Sequence, residues 1–120
     1  MKRQILIALA ALAAFAVPSG AVELVMVEQH GCHWCEQWNA DIAPAYSKTS
    51  EGEFAPLRRV DLRALPDDLV FDARVIFTPT FVLMDDGAEL ARIEGYPGPD
   101  FFWPLLAEML AEQTDFEVMQ

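Results

Sequence analysis

Cys32 and Cys35 are the only cysteines in the 120 residues, and they stand as a C-x-x-C where a Val- and Leu-rich stretch gives way to a helical pattern. A domain stapled by disulfides carries more cysteines, more widely spaced. A four-residue loop gains little from closure, because that gain grows with loop length. The pair is therefore placed for chemistry rather than for holding the fold. The plainer alternative is two ordinary buried thiols.

At this length one domain with one core is the limit. Hydrophobic residues make up 53% of the chain, and part of that comes from its first twenty residues. Lys2 and Arg3 precede an uncharged apolar run of 13 residues, Ile5 to Val17, which ends in Pro18, Ser19, Gly20 and Ala21. Basic, apolar and small residues in that order make a secretory signal peptide. Ser19 and Ala21 fit the small-x-small rule, so cleavage is expected after Ala21, with a single domain over 22–120. An uncleaved anchor would need about 20 apolar residues to span a bilayer. Loss of Lys2 and Arg3 takes the formal charge from −11 to −13. So acidic a chain repels phosphate backbones and anionic lipid, and no nucleic-acid partner is expected.

Glu23 to Gln29 reads as a buried strand, broken by His30 and Gly31. Cys32 to about Lys48 reads as a helix with Trp38, Ile42 and Tyr46 on one face, kinked or ended near Pro44. Ser47 to Glu53 is polar and reads as a loop. Phe54 to Leu62 is a second strand. Within Leu65 to Ile76, Asp67 or Asp68 can cap a short helix carrying Leu69, Val70 and Ala73. Phe81 to Asp85 is a third strand, Asp86-Gly87 a hairpin turn, and Glu89 to Glu94 the returning fourth strand. Asp100 can cap a last helix with Phe102, Leu105, Leu106, Met109 and Leu110 on its core side. The order β-α-β-α-β-β-α asks for a right-handed parallel βαβ unit followed by an antiparallel hairpin and a covering helix.

A helix that begins at Cys32 presents unpaired N–H groups and partial positive charge to its sulfur. Both favour the thiolate, which is the attacking species in disulfide exchange. Cys35 lies one turn on and can attack a mixed disulfide. Cys32 is thus assigned as the nucleophile and Cys35 as the resolving thiol. His33, if protonated, would favour the reduced form; otherwise it is an exposed polar residue of little effect. Trp34 offers an apolar platform for a partner. His30, Cys32, His33 and Cys35 together could hold Cu(I) or Zn(II), but structural zinc sites draw ligands from two separated pairs, and no second pair exists. No metal is expected.

Thr78-Pro79 precedes an apolar strand and hairpin. Alone, Pro79 would simply start an edge strand. With the C-x-x-C upstream, the pattern resembles the thioredoxin family from Val22 to about Gln113. The resemblance implies an α/β thioredoxin fold, with a central mixed four-stranded sheet flanked by helices, βαβ then ββα. It implies a thiol–disulfide oxidoreductase with no cofactor beyond a redox-active Cys32–Cys35 disulfide. It implies a cis Thr78–Pro79 bond beside the cysteines, where the Thr78 backbone can pair with an extended substrate segment.

Three features depart from ordinary thioredoxins. The dipeptide between the cysteines is His-Trp rather than Gly-Pro. Pro44 lies further from the second cysteine. Met26 stands where ordinary members carry a buried acid. Glu28 is nearby, and is either a proton acceptor for Cys35 or a solvated strand-end carboxylate. Within the family, the leader, the length and the H-G-C-x-W-C context most resemble the small periplasmic SoxS-type thioredoxins of sulfur-oxidation systems. That resemblance implies a periplasmic reductase. It would draw electrons from a membrane thiol transporter of the CcdA or DsbD type and reduce periplasmic protein disulfides, sulfur-oxidation proteins among them. A disulfide oxidase or isomerase, a Cu(I)-binding chaperone on the same cysteines, and a non-enzymatic interaction module are the other readings.

Overall fold

The computed structural model of the chain describes residues 22–118. The expected leader at 1–21 lies outside the described residues. Strand β1 (Val22–Glu28) buries Leu24 to Val27 completely. An apolar run without alternation marks a strand covered on both faces, and β1 is central in a four-stranded sheet. The sheet order is β2-β1-β3-β4, with β2 at Leu57–Asp61, β3 at Thr80–Asp85 and β4 at Ala88–Glu94. β2 runs parallel to β1, while β3 and β4 join antiparallel. The mixed sheet and the βαβ-then-ββα order are those expected from the sequence.

The connection from β1 to β2 holds three helices rather than one: α1 (His33–Asp41), α2 (Ala43–Tyr46) and α3 (Ser50–Phe54). Pro44 lies in the first turn of α2. It has no N–H to extend α1, so the helix breaks at Ile42 and restarts. Trp38, Ile42 and Tyr46 still share one face, each at most 2% exposed. α3 takes up the end of the segment expected as a loop and also Phe54, the expected start of the second strand; that strand starts only at Leu57. Thr49 caps α3, its Oγ1 accepting from Gly52 N–H at 3.0 Å. Gly52 is there for room: a Cβ would overlap the Tyr46 carbonyl.

The short helix expected after Asp67 or Asp68 is absent. Arg58 takes Asp68 in a bidentate pair, both contacts at 2.8 Å. Val70 forms a bridge with Ala88, which holds it extended. Residues 62–77 instead cross the second face of the sheet as irregular chain, over Val25, Val27, Val60, Val82 and Met84. The hairpin turn has Asp86 at φ 50° and Gly87 at φ 81°, the two positive φ values that a type I′ turn requires.

Helix α4 (Pro99–Gln113) is capped by Gly98, not Asp100, which sits in the first turn where its charge complements the helix dipole. It buries Phe102, Leu106, Met109 and Leu110, but Leu105 is 40% exposed. The buried stripe is narrower than expected and Leu105 falls on its flank. The first face of the sheet carries the larger core, in which Trp38, Phe81 and Phe102 pack with ring centroids 4.9–5.8 Å apart.

Candidate active site

The end of β1 delivers the chain to His30 and Gly31, and Gly31 turns it at φ 77°. Cys32 is the N-cap of α1 in extended conformation, and its Sγ accepts from Cys35 N–H at 3.1 Å. A sulfur in the capping position receives the helix's free donors and its dipole. Cys32 and Cys35 are joined by a disulfide, Cα atoms 5.2 Å apart. Cys32 is 9% exposed and Cys35 2%. Cys32 is the more exposed of the two residues. His33 and Trp34 project from the first turn, both exposed, with rings edge to face at 4.9 Å.

Val27 of β1 pairs with Thr80 of β3, so the residues after β1 and those before β3 meet at one end of the sheet. The Thr78–Pro79 peptide bond is cis. Gln29 Nε2 donates to Thr78 Oγ1 at 2.9 Å, tying the two segments together. The Pro79 carbonyl accepts from Gly95 N–H at 2.8 Å, which anchors the far side to the end of β4. Ile76 and Phe77, just ahead of Thr78, are exposed.

Glu28 and Cys35 line the same open cleft of about 440 Å³, together with His30, Cys32, Asn39 and Arg59. Glu28 is paired: Arg59 donates to its Oε2 at 2.9 Å. The same guanidinium lies over the Trp38 ring, 5.6 Å from its centroid, and 3.5 Å from the Met26 sulfur. The place of a buried acid is thus taken by a thioether under an arginine. Tyr96 Oη donates to Asp41 at 2.8 Å, bracing the end of α1 against the turn before α4. Burial, and then the bond to Asp41, raise the Tyr96 hydroxyl above the usual tyrosine range.

Cys32, Cys35, His33, Trp34, Thr78 and Pro79 therefore belong to one end of the sheet, with Glu28 in the cleft behind. Gln29 and Arg59 were not foreseen. For Arg59 a signal existed: adjacent arginines on one strand must face opposite sides. Arg58 does pair on the second face, and Arg59 on the first. Among the described residues no group of three or more His, Cys, Asp or Glu side chains is placed to hold a metal ion.

No protein-family model and no curated protein matches the chain. Among solved structures, the chain is similar to the periplasmic thioredoxin SoxS from Paracoccus pantotrophus in its reduced form. That similarity is 50% identity and a TM-score of 0.73, over 76% of this chain and 97% of the other. It also resembles in fold a thioredoxin-fold protein from Helicobacter pylori, with 20% identity and a TM-score of 0.55 over 80% of this chain and 71% of that one. A Malassezia sympodialis thioredoxin matches at 16% identity and a TM-score of 0.50 over 76% of each chain, again in fold.

Proposed function

The chain belongs to the thioredoxin family and is a thiol–disulfide oxidoreductase, and from that premise we propose that it works in the periplasm as a reductase of protein disulfides. The observation that carries this reading is the Cys32–Cys35 disulfide at the N-terminus of α1, in a chain half identical to a periplasmic thioredoxin. The basic, apolar and small residues at 1–21 support export, with the active domain beginning at Val22.

In the reduced protein the Cys32 thiolate attacks one sulfur of a partner disulfide. A mixed disulfide forms and the partner's other sulfur leaves as thiolate. Cys35 then gives up its proton and attacks the Cys32 sulfur. The intramolecular disulfide closes and the partner leaves with both sulfurs reduced, two electrons having passed to it. Glu28, in the same cleft as Cys35, is the proposed acceptor of the Cys35 proton. Trp34 and the Thr78-Pro79 edge receive the partner segment, whose extended backbone pairs beside the sulfurs. His33, exposed in the first turn of α1 beside Cys32, is the residue proposed to tune the potential. The protein needs a dithiol donor to begin again, and a membrane thiol transporter of the CcdA or DsbD type supplies that chemistry. The partners proposed are periplasmic protein disulfides, sulfur-oxidation proteins among them.

Trapping of free thiols in intact cells tests this direction of flow. Cys32 and Cys35 should be mostly reduced in cells that hold such a transporter, and mostly oxidised when it is deleted. A pair that is oxidised in both would indicate a disulfide donor.

A further inference from the structure

The segment that crosses the second face of the sheet leads directly into Ile76, Phe77 and Thr78, and two side chains of β4 fasten it. Asp72 N–H donates to Glu89 Oε1 at 3.0 Å, and Arg92 Nη2 donates to the Ala73 carbonyl at 2.8 Å. Backbone bonds continue the attachment: Val70 N–H to the Gly87 carbonyl at 2.7 Å, and Glu89 N–H to the Val70 carbonyl at 3.1 Å. Glu89 and Arg92 hold each other through Nε–Oε2 at 2.7 Å and Nη2–Oε1 at 2.6 Å. Their side chains are only 5% and 13% exposed.

Residues three apart on a regular strand point to opposite faces. Glu89 and Arg92 meet because β4 has a bulge. Met84 pairs with Glu89 but Leu83 pairs with Ala91, which leaves Leu90 as the extra residue. The bulge restores Arg92 to the face of its partner Val82, and Val82 and Met84 both belong to the second-face core. A bulge of this kind re-aims side chains at a cost in ladder bonds. Here it puts a largely covered, two-bond ion pair under the strap.

Ala73 is held by Arg92 and Thr80 by the sheet, and only six residues lie between them. The exposed Ile76 and Phe77 fall in that span, as does Thr78, which Gln29 ties to the segment before Cys32. We infer that the Glu89–Arg92 pair is a positioning element for protein substrates, setting the strap over 70–77 so that Ile76, Phe77 and Thr78 face the disulfide-bearing segment of a partner. The inference rests on the proposed docking of that segment at the Thr78-Pro79 edge. The cleft at Cys32 is lined by the segment after β1, by α1 and by the end of β2, with no residue of the strap, so a small disulfide is expected to reach Cys32 independently of it.

The test compares steady-state reduction of insulin, a protein disulfide, with dithiothreitol as the electron donor, against single-turnover reduction of the small aromatic disulfide DTNB by the pre-reduced protein. The variants are Arg92→Met, Glu89→Gln and the conservative Arg92→Lys. Loss of one charged hydrogen-bonded partner should raise KM for insulin about fivefold or more with kcat nearly unchanged. The DTNB rate and the reduction potential should stay at the parent values, and Arg92→Lys, which keeps the charge but not the fork, should recover only part of the loss. Glu89→Gln keeps the side chain's size and serves if Arg92→Met does not fold. An insulin KM equal to the parent's in the folded variants overturns the inference, and so does a parallel fall in both rates. Phe77→Ser separates the two ideas. If it raises the insulin KM while the pair variants do not, only the positioning role fails. If it too leaves KM unchanged, the docking edge fails with it.

Discussion

The backbone N–H of Cys35 donates to the sulfur of Cys32 over 3.1 Å, so the residue proposed as the resolving thiol also supplies a donor to the proposed nucleophile. That donor is main chain and does not depend on the Cys35 side chain. The capping geometry that favours the Cys32 thiolate therefore survives removal of the second sulfur.

Cys35→Ser should accordingly keep a reactive Cys32 and lose the ability to resolve. The expected outcome is accumulation of disulfide-linked complexes through Cys32, visible on non-reducing gels and dissolved by reductant. Cys32→Ser should give none. Complexes held through Cys35 instead would reverse the assigned roles.

Gly52 should resist every substitution, although it sits inside a helix where alanine is ordinarily favoured. A Cβ there overlaps the Tyr46 carbonyl oxygen, and Tyr46 in turn holds the Ala55 carbonyl through its hydroxyl at 2.6 Å. Gly52→Ala should lower stability by about 1–3 kcal/mol, the usual cost of overpacking. Denaturant unfolding measures it, and a neutral or stabilising effect would mean that α2 and α3 are less tightly apposed than described.

Glu89 gives the fold an acid-sensitive fastening. Burial pushes its carboxyl up, but the hydrogen bonds from Arg92 and Asp72 N–H and the Arg92 charge outweigh it, and the net shift is below the ordinary 4.5. A carboxyl lowered in the folded state stabilises fully above its unfolded value, and the contribution is lost as pH falls through the folded value. The parent should thus be more stable than Glu89→Gln at neutral pH, and the difference should shrink below pH 4.5. Urea midpoints measured across that range check it; a constant difference would remove the carboxylate from the account.

Much of this was legible in the residues. The unbroken apolar run of β1, the C-x-x-C at the head of a helix and the Asp86-Gly87 turn each have a local physical cause, and each appears where that cause puts it. The misreadings share another origin. Asp68 has the composition of a helix cap, yet Arg58 on a neighbouring strand takes its carboxylate. Leu105 follows the helical spacing, but the face of α4 that meets the sheet is narrower than the apolar stripe. Gly52 reads as a loop residue until the Tyr46 carbonyl is seen against it. In each case the packing of one element against another, rather than the local pattern, decided the outcome. At the site, the cysteines and Thr78-Pro79 stood out by motif. Gln29 and Arg59 have no motif, and their roles come from which strands lie side by side.

The equilibrium reduction potential of the Cys32–Cys35 pair, measured against a defined dithiol buffer, bears most directly on the proposed reductase. A value near that of thioredoxin, about −270 mV, is the predicted result. A value near that of the strong periplasmic oxidant, about −120 mV, would contradict it and make the protein a disulfide donor, with a charged His33 as the leading cause.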